Sequence, residues 1–258
     1  MHPLVALWSH PRSMSTAMER IMRERGDFTC FHEPFMYLYY VGDAKKEMPL
    51  FNVPPGTPTS YEDIRAMLLN AAEAGPVFLK DMSYYILDRM MEDRPFADRI
   101  THTFLIRDPA KSIVSYYKLD PDMTVEEIGI ETQYRHFAWL TETYGTTPTV
   151  IEAADIQNDT EGMIRAYSAA IGVDYLPHAL EWSNEVPKDW QSVTGWHGDV
   201  IGAPGIRKEN ETSDGRDDGK PAVTLDSAPH LRTHYDHHKP YFDKLRRHKL
   251  KPLAADGA

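Results

Sequence analysis

Two segments of the sequence place cationic and hydroxyl side chains where they could bind phosphate groups. The first, Pro11-Arg12-Ser13-Met14-Ser15-Thr16, follows a short apolar run and precedes a predicted helix. The N–H groups and dipole of a helix N-terminus favour an anion, and Arg12 adds a cationic fork. The loop has neither glycine nor a Lys-Ser/Thr pair, so it is not a Walker A motif. A serine that only caps the helix is the alternative interpretation.

The second segment begins at Arg107, directly after the apolar run Phe104-Leu105-Ile106. Pro109 suits the first turn of a helix. Ser115 then lies about two helical turns beyond Arg107, so both side chains could face one anion. The alternative is an ion pair between Arg107 and Asp108 beside an ordinary helical serine.

Taken together, the two segments resemble the nucleotide-binding motifs of sulfotransferases that use 3′-phosphoadenosine 5′-phosphosulfate (PAPS). The order and separation of the motifs also match, and the resemblance is strongest over residues 4–36 and 76–118. It implies that PAPS is the sulfuryl donor and that no metal is needed. It assigns the phosphosulfate to Arg12, Ser13, Met14, Ser15 and Thr16, and the 3′-phosphate to Arg107 and Ser115.

The resemblance also implies roles for Glu33 and Lys80. Glu33 follows the first predicted helix, where several branches of the family carry a Glu that faces the acceptor. Because sulfuryl transfer needs a base, Glu33 is the expected base, and His32 is the second candidate. Lys80 matches a lysine that some branches place near the bridging oxygen, where it would stabilise the developing charge. The alternatives are a surface carboxylate at Glu33 and a surface pair between Lys80 and Asp81.

Three departures from the family pattern bear on these assignments. Met14 stands where many relatives have glycine, which constrains the loop backbone. Arg12, expected to assist catalysis as well as binding, stands where the cytosolic branch has lysine. This places the chain nearer the bacterial, carbohydrate and tyrosyl-protein branches. The late Gly-rich segment that closes over the nucleotide is not recognisable, and residues 195–208 are the candidate for that role.

The elements that must position these residues alternate between short apolar runs and amphipathic stretches. This order predicts one α/β domain over residues 1–258, with a P-loop-like, doubly wound parallel sheet flanked by helices: a sulfotransferase-like three-layer sandwich. The predicted strands are 4–9, 77–79, 100–106 and 149–151. The predicted helices are 14–25, 61–74, 83–93, 109–118, 125–144 and 236–250.

Three stretches fall outside this alternation. Prolines make residues 48–60 a loop or lid, and residues 208–220, charged and nearly free of apolar residues, are expected to be mobile. The aromatic segment 35–40 either lines an acceptor pocket or forms a packed helix.

Composition limits the partners of the protein. The chain of 258 residues carries a net charge of −11, which disfavours nucleic acid and anionic membranes as partners. A small nucleotide would therefore need a local basic pocket inside an acidic shell, with the excess acid on outer helices and on residues 208–220. The lone Cys30, the lack of a signal peptide and the lack of an apolar run of about 18 residues predict a cytoplasmic protein.

The C-terminal histidines and the reaction each have more than one interpretation. His230, His234, His237 and His238 are spaced in a way that a metal site could use, with Asp236 as a carboxylate ligand. The family resemblance implies no metal, however, and a basic C-terminal helix is the preferred explanation. The predicted function is sulfuryl transfer from PAPS to a hydroxyl or amine of a small acceptor. A P-loop-like kinase or nucleotide hydrolase, or a non-catalytic nucleotide-binding protein on the same fold, is the alternative.

Overall fold

A five-stranded parallel sheet forms the centre of the computed structural model, which describes residues 2–183, 185–196, 202–208 and 223–254. The strand order across the sheet is β2-β3-β1-β4-β5, and every neighbouring pair is parallel. The strands are β1 (Leu4–Ser9), β2 (Thr29–His32), β3 (Val77–Met82), β4 (Thr101–Ile106) and β5 (Thr149–Glu152).

The helices that connect the strands cover both faces of the sheet. In chain order they are α1 (Ser15–Glu24), α2 (Tyr61–Ala74), α3 (Ser83–Glu92), α4 (Arg94–Ala97), α5 (Pro109–Tyr117), α6 (Val125–Ile128), α7 (Ile130–Tyr144), α8 (Ala153–Asn158), α9 (Thr160–Ala170) and α10 (Pro229–Arg246). A π-helical turn spans Leu38–Gly42, and 3₁₀ segments span Pro177–Leu180 and Lys188–Trp196.

Alternation along the strands divides the core into two layers. Leu4, Ala6 and Trp8 of β1 pack into the cluster that also holds buried residues of α2, α3, α7 and α10. Val5 and Leu7 point to the opposite face and pack with α1, α8 and α9. Because successive side chains of a strand face opposite sides, a strand buried on both faces is apolar throughout. The predicted three-layer α/β architecture is thereby confirmed.

Three predicted elements differ from the structure by more than one residue at an end or by an internal break. The second predicted strand, 77–79, extends to Met82, so Lys80 lies inside β3 rather than at its end. The predicted helix 125–144 is two helices, separated at Gly129, whose φ is 76°. The final helix begins at Pro229 and ends at Arg246, earlier at both ends than predicted. The sequence analysis also missed β2 and α8, which are too short to carry a regular pattern. It missed α9 as well, although the N-cap Asp159 and the buried Met163, Ile164 and Tyr167 form an amphipathic pattern that could have predicted this 11-residue helix.

Of the two segments predicted to be irregular, the structure describes only residues 48–60 in full. Residues 48–60 contain no helix or strand, as predicted, and the Trp196 indole Nε1 donates a hydrogen bond to the Pro49 carbonyl at 2.8 Å. Of the predicted mobile loop 208–220, all but Lys208 lies outside the described residues. Among the helices within the described ranges, none combines the length and the apolar character that crossing a membrane requires.

Candidate active site

The predicted site residues meet at one cavity of about 710 Å³ at the carboxyl ends of the strands, where open α/β sheets bind ligands. All of them line it: Arg12, Ser13, Met14, Ser15, Thr16, Glu33, Lys80, Arg107 and Ser115. The cavity wall formed by the described residues is strongly basic, with one carboxylate, that of Glu33, against six cations. The cations are Arg12, Lys80, Arg107, Lys111, Lys118 and Arg207.

The loop between β1 and α1 has an unusual backbone. Arg12 and Met14 have φ angles of 61° and 72°, in the left-handed region that favours glycine. Met14 therefore adopts the conformation that glycine would take, although a side chain makes it cost roughly 1–2 kcal/mol. The Ser13 hydroxyl between them is buried and makes no hydrogen bond to any described residue. Such strain and an orphaned buried hydroxyl are typical of a ligand-binding loop.

Side chains join the two predicted anion-binding segments. The Arg12 Nε donates a hydrogen bond to the Ser115 hydroxyl at 2.9 Å, and an Arg107 guanidinium N–H donates to the Arg12 carbonyl at 2.8 Å. Asp108 does not pair with Arg107, because its carboxylate caps α5 by accepting from the Ala110 N–H at 2.9 Å. The two segments thus form one basic cluster.

His10 is a connecting residue that the sequence analysis missed. Burial lowers the pKa of His10 to about 3, so the ring is neutral. Its Nε2 accepts a hydrogen bond from the Arg107 N–H at 3.1 Å, and its Nδ1 donates to the Pro11 carbonyl at 3.2 Å. One imidazole therefore joins the segments that follow the paired strands β1 and β4. Only the pairing of these two strands could have revealed this contact.

Glu33 is buried rather than a surface carboxylate. Its φ of 42° turns the chain away from β2, and its N–H donates to the Lys80 carbonyl at 2.9 Å. The Lys80 ammonium forms an ion pair with Glu33 Oε1, and the Tyr85 hydroxyl donates to Oε2 at 3.4 Å. His32 Nε2 lies 3.8 Å from Glu33 Oε1. A carboxylate, an ammonium and an imidazole thus share one corner of the cavity.

Asp81, next to Lys80 on β3, faces the other side of the sheet. Its carboxylate accepts hydrogen bonds from the N–H groups of Phe35 and Met82, each at 2.8 Å. Burial, reinforced by the charge of Glu33, raises the pKa of Asp81 well above its ordinary value. The alternative of a surface Lys80–Asp81 pair is therefore wrong, because strand alternation separates the two side chains.

Tyrosines that the sequence analysis did not single out line the cavity on the Glu33 side. They are Tyr84, Tyr85 and Tyr116, in addition to Tyr40 of the aromatic segment. The rings of Tyr84 and Tyr85 lie 4.5 Å apart, and burial keeps the pKa values of all four hydroxyls above their ordinary value. The aromatic segment therefore takes both expected roles: Tyr40 lines the cavity, while the rest is packed.

The late segment contributes to the cavity as well. Trp196, Ala203 and residues 205–207 line it, and so do Gln157 and Trp182. The Gln157 side chain donates to the Arg207 carbonyl at 3.2 Å and so ties this segment to α8. Residues 197–201 lie outside the described part of the chain.

The C-terminal histidines make packing contacts. His237 pairs with Glu131 at 2.7 Å, His238 Nε2 donates to the Val125 carbonyl at 2.8 Å, and the His230 ring lies 5.6 Å from that of Tyr117. No group of three or more potential metal ligands occurs among the described residues. These histidines attach α10 to α5, α6 and α7.

Comparison with known proteins identifies the family. A family model described as a sulfotransferase domain matches residues 3–205. Two Arabidopsis thaliana relatives, branched-chain-amino-acid aminotransferase-like proteins 2 and 1, are 23% and 24% identical over 75% and 77% of this chain. The chain spans about a third of the length of these relatives, namely 34% and 36%.

Two solved structures resemble this chain along nearly its whole length. The sulfotransferase domain of the Synechococcus PCC 7002 olefin synthase matches 97% of this chain and 96% of its own, with a TM-score of 0.58 and 19% identity. The sulfotransferase domain from the curacin biosynthetic pathway matches 97% and 99%, with a TM-score of 0.53 and 8% identity. At these identities the likeness shows the fold. With the family match over residues 3–205, the chain belongs to the sulfotransferase family.

Proposed function

We propose that this protein transfers a sulfuryl group from PAPS to a hydroxyl or amine of a small acceptor. The main support is the meeting of two anion-binding segments with a carboxylate–lysine pair in one cavity. Each segment alone has a structural explanation, but a helix cap or a surface ion pair would not require them to share a basic cavity. The family match over residues 3–205 supports the same reaction class.

The lining residues fit a nucleotide that carries phosphate at two places. Arg12, the orphaned hydroxyl of Ser13, and the N-terminus of α1 suit the phosphosulfate, with Met14, Ser15 and Thr16 supplying backbone N–H and hydroxyl donors. Arg107 and Ser115, on the neighbouring strand end and helix, suit the 3′-phosphate. PAPS would supply the activated sulfuryl group; this chain supplies the cations that bind it.

Glu33 and Lys80 then divide the chemical work. The acceptor oxygen or nitrogen forms a bond to sulfur while the bond between sulfur and the bridging phosphate oxygen breaks. Glu33 takes the acceptor proton, and Lys80 stabilises the negative charge on the departing phosphate. Their ion pair holds both groups in place before the ligands bind. Arg12 remains on the phosphosulfate and assists through its fixed charge.

The described residues support the two alternatives less well. A kinase or nucleotide hydrolase of the P-loop type needs Mg²⁺, held by a hydroxyl and a strand-end Asp. Asp81 and Asp108 follow or end strands, but their carboxylates bind backbone N–H groups and do not line the cavity. A protein that only binds nucleotide would have no need of the buried Glu33–Lys80 pair, whose desolvation is unfavourable.

Incubation with PAPS labelled in the sulfuryl group tests this proposal. We expect transfer of the label to some member of a panel of small alcohols, phenols and amines, with one adenosine 3′,5′-bisphosphate formed per product. Nucleotide binding without transfer to any member of a broad panel would favour the non-catalytic alternative. Transfer of phosphate from ATP would favour the kinase.

A further inference from the structure

We propose that Glu19 is a positioning residue that orients His32, so that His32 receives the proton that Glu33 removes from the acceptor. This inference deepens the proposed function and rests on it. It concerns a carboxylate on α1 that lies behind the site and does not line the cavity. Neither the sequence pattern nor the family resemblance pointed to Glu19.

The surroundings of Glu19 fix its charge. Its side chain is fully buried. Its Oε1 accepts hydrogen bonds from Arg23 and from the Trp190 Nε1, both at 2.8 Å, and its Oε2 lies 2.6 Å from His32 Nδ1. Burial alone would raise the pKa of Glu19, but the contacts with His32 and Arg23 hold it below its ordinary value. Glu19 is therefore an ionised carboxylate.

An ionised Glu19 determines which nitrogen of His32 carries the proton. A carboxylate only accepts hydrogen bonds, so the Nδ1 of His32 must be the donor at 2.6 Å. In a ring that carries a single proton, Nε2 is then the acceptor, and it lies 3.8 Å from Glu33 Oε1. A small side-chain rotation brings this pair within hydrogen-bond distance. His32 itself lines the cavity.

The proton steps balance without any further reactant. Glu33 removes the acceptor proton as the new bond to sulfur forms, and Lys80, no longer facing a carboxylate, acts on the departing phosphate. The proton then passes from Glu33 to Nε2 of His32. The resulting imidazolium lies between the carboxylates of Glu19 and Glu33, and Glu33 is again ionised. Water takes the proton once product leaves.

Other charged or titratable groups lie near His32 on α1, β2, β3 and the 3₁₀ segment Lys188–Trp196. Arg23 of α1 and Asp189 of the 3₁₀ segment contact each other beside Glu19, and Lys80 of β3 faces Glu33. Cys30 of β2 is neutral, because burial raises the pKa of its thiol. Glu19 is the only described carboxylate within ion-pair distance of His32 Nδ1.

The test compares Glu19→Gln, His32→Gln and the double variant, with Glu24→Gln as the control. Glu24 also lies on α1, but its carboxylate binds Arg20 and Ser183 instead of His32. We expect Glu19→Gln to lower kcat about 10- to 100-fold, with bisphosphate affinity unchanged. The double variant should be no slower than His32→Gln, because Glu19 acts through His32.

The pH profile separates positioning from a structural role. Glu19 stabilises the imidazolium, so its loss makes the ring harder to protonate, and the acid limb of kcat should move to lower pH in Glu19→Gln. Glu19→Asp keeps the negative charge, so the acid limb of its kcat–pH profile should stay at the wild-type pH. Additive losses in the double variant, or an unmoved acid limb in Glu19→Gln, would show that Glu19 only supports the fold.

Nitrogen-15 NMR of His32 in the wild-type protein gives a readout that needs neither activity nor a variant. We expect a protonated Nδ1 and an unprotonated Nε2 at neutral pH. The opposite tautomer would overturn the proposal even if sulfuryl transfer is demonstrated. Conversely, an absence of sulfuryl transfer with the expected tautomer would count against the proposed function and leave the Glu19–His32 arrangement standing.

Discussion

Glu33, which follows β2, and Lys80, inside the neighbouring strand β3, form a buried ion pair. Taking two charges out of water is unfavourable, and the ion pair itself and a hydrogen bond from the Tyr85 hydroxyl compensate part of this cost. Removing one partner leaves the other charge buried and unpaired. Substitutions here therefore affect stability as well as chemistry, and the two effects have to be measured separately.

Replacement of Glu33 by Gln should abolish turnover. The amide keeps the size of the side chain but cannot take the acceptor proton, so we expect kcat to fall at least 100-fold. Affinity for adenosine 3′,5′-bisphosphate should remain within a few fold, because the anion-binding segments are intact. Steady-state kinetics and calorimetry measure the two quantities. Glu161→Gln, at an exposed carboxylate paired with Arg165, is the matched control. Unchanged turnover in Glu33→Gln would exclude Glu33 as the base.

Arg107→Ala should weaken binding of the bisphosphate. A charge-assisted hydrogen bond contributes about 1.5–3 kcal/mol, so the dissociation constant should rise roughly 10- to 100-fold. Part of the loss will come from the Arg12 carbonyl, which loses its donor. Arg246→Ala on α10, which removes an arginine paired with Glu152 outside the cavity, should leave the affinity unchanged. Equal affinities in both variants would show that Arg107 does not bind the 3′-phosphate.

For individual residues, the sequence predicted which side chains line the site but not which neighbouring side chains hold them in position. All nine predicted residues line the cavity, because motifs at strand ends converge wherever the strands are parallel. His10 and Glu19 were missed, since each acts through a partner distant in sequence: Arg107 for His10 and His32 for Glu19. No local pattern reports such contacts.

Among the elements, the break between α6 and α7 shows how a single residue overrides periodicity. The apolar pattern continues across residues 125–144 and predicted one helix. Gly129, with a φ of 76°, ends α6 and begins α7. A Cβ at this position would lie 2.8 Å from a ring carbon of Tyr84, which lines the cavity. Close approach to an aromatic ring therefore requires glycine here.

Comparison of Gly129→Ala with Gly145→Ala isolates this contact. Both glycines have positive φ, so each substitution incurs backbone strain of roughly 1–2 kcal/mol. A Cβ at Gly145 meets no atom within 4 Å, whereas one at Gly129 collides with Tyr84. We expect Gly129→Ala to lower the free energy of unfolding by about 1–3 kcal/mol more than Gly145→Ala does, as measured by urea denaturation. Equal losses in the free energy of unfolding would mean that the Tyr84 ring moves aside at no energetic cost.

Elements with a strong pattern were predicted well, and weak ones were not. Strand β1 and helix α2 match their predicted bounds, since an apolar run and a serine-capped amphipathic stretch are unambiguous. Strand β2 lies at the sheet edge, and three of its four residues are not buried. An edge strand of four residues has no recognisable sequence pattern, although its last residue, His32, lines the cavity.

For the whole molecule, the distribution of charge matters more than its sum. A net charge of −11 coexists with a cavity whose described lining holds six cations and one carboxylate. The expected basic pocket is thereby confirmed. The share of the acid expected on residues 208–220 lies mostly outside the described residues. A basic cavity in an acidic protein favours a small anion over an extended polyanion.

Buried neutral histidines make stability depend on pH. Burial lowers the pKa of His102 and of His238 to about 4, and that of His10 to about 3. The unfolded chain binds these protons near pH 6.5 and the folded chain does not, so stability is complete above pH 6.5 and is lost as the pH falls. We expect each of these three histidines to lower the free energy of unfolding by about 1–2 kcal/mol between pH 7 and pH 5.

Urea unfolding of His102→Gln at pH 7 and pH 5 measures this contribution. The wild-type His102 accepts from the Trp8 indole and donates to the Ala97 carbonyl, so the variant should be less stable at both pH values. Its pH dependence, however, should be shallower by the contribution of one histidine. His178→Gln, at an exposed position, should keep the wild-type slope. A His102→Gln slope equal to that of the wild type would contradict the assignment.

Calorimetry shows whether the cavity binds a 3′-phosphorylated nucleotide, as the proposed sulfuryl transfer requires. Adenosine 3′,5′-bisphosphate and ATP with Mg²⁺ are titrated separately into the full chain. We expect tight binding of the bisphosphate, at least 10-fold tighter than that of ATP with Mg²⁺, because Arg107 and Ser115, which line the cavity, are proposed to bind the 3′-phosphate that ATP lacks. Equal or tighter binding of ATP with Mg²⁺ would show that the cavity does not select a 3′-phosphorylated nucleotide.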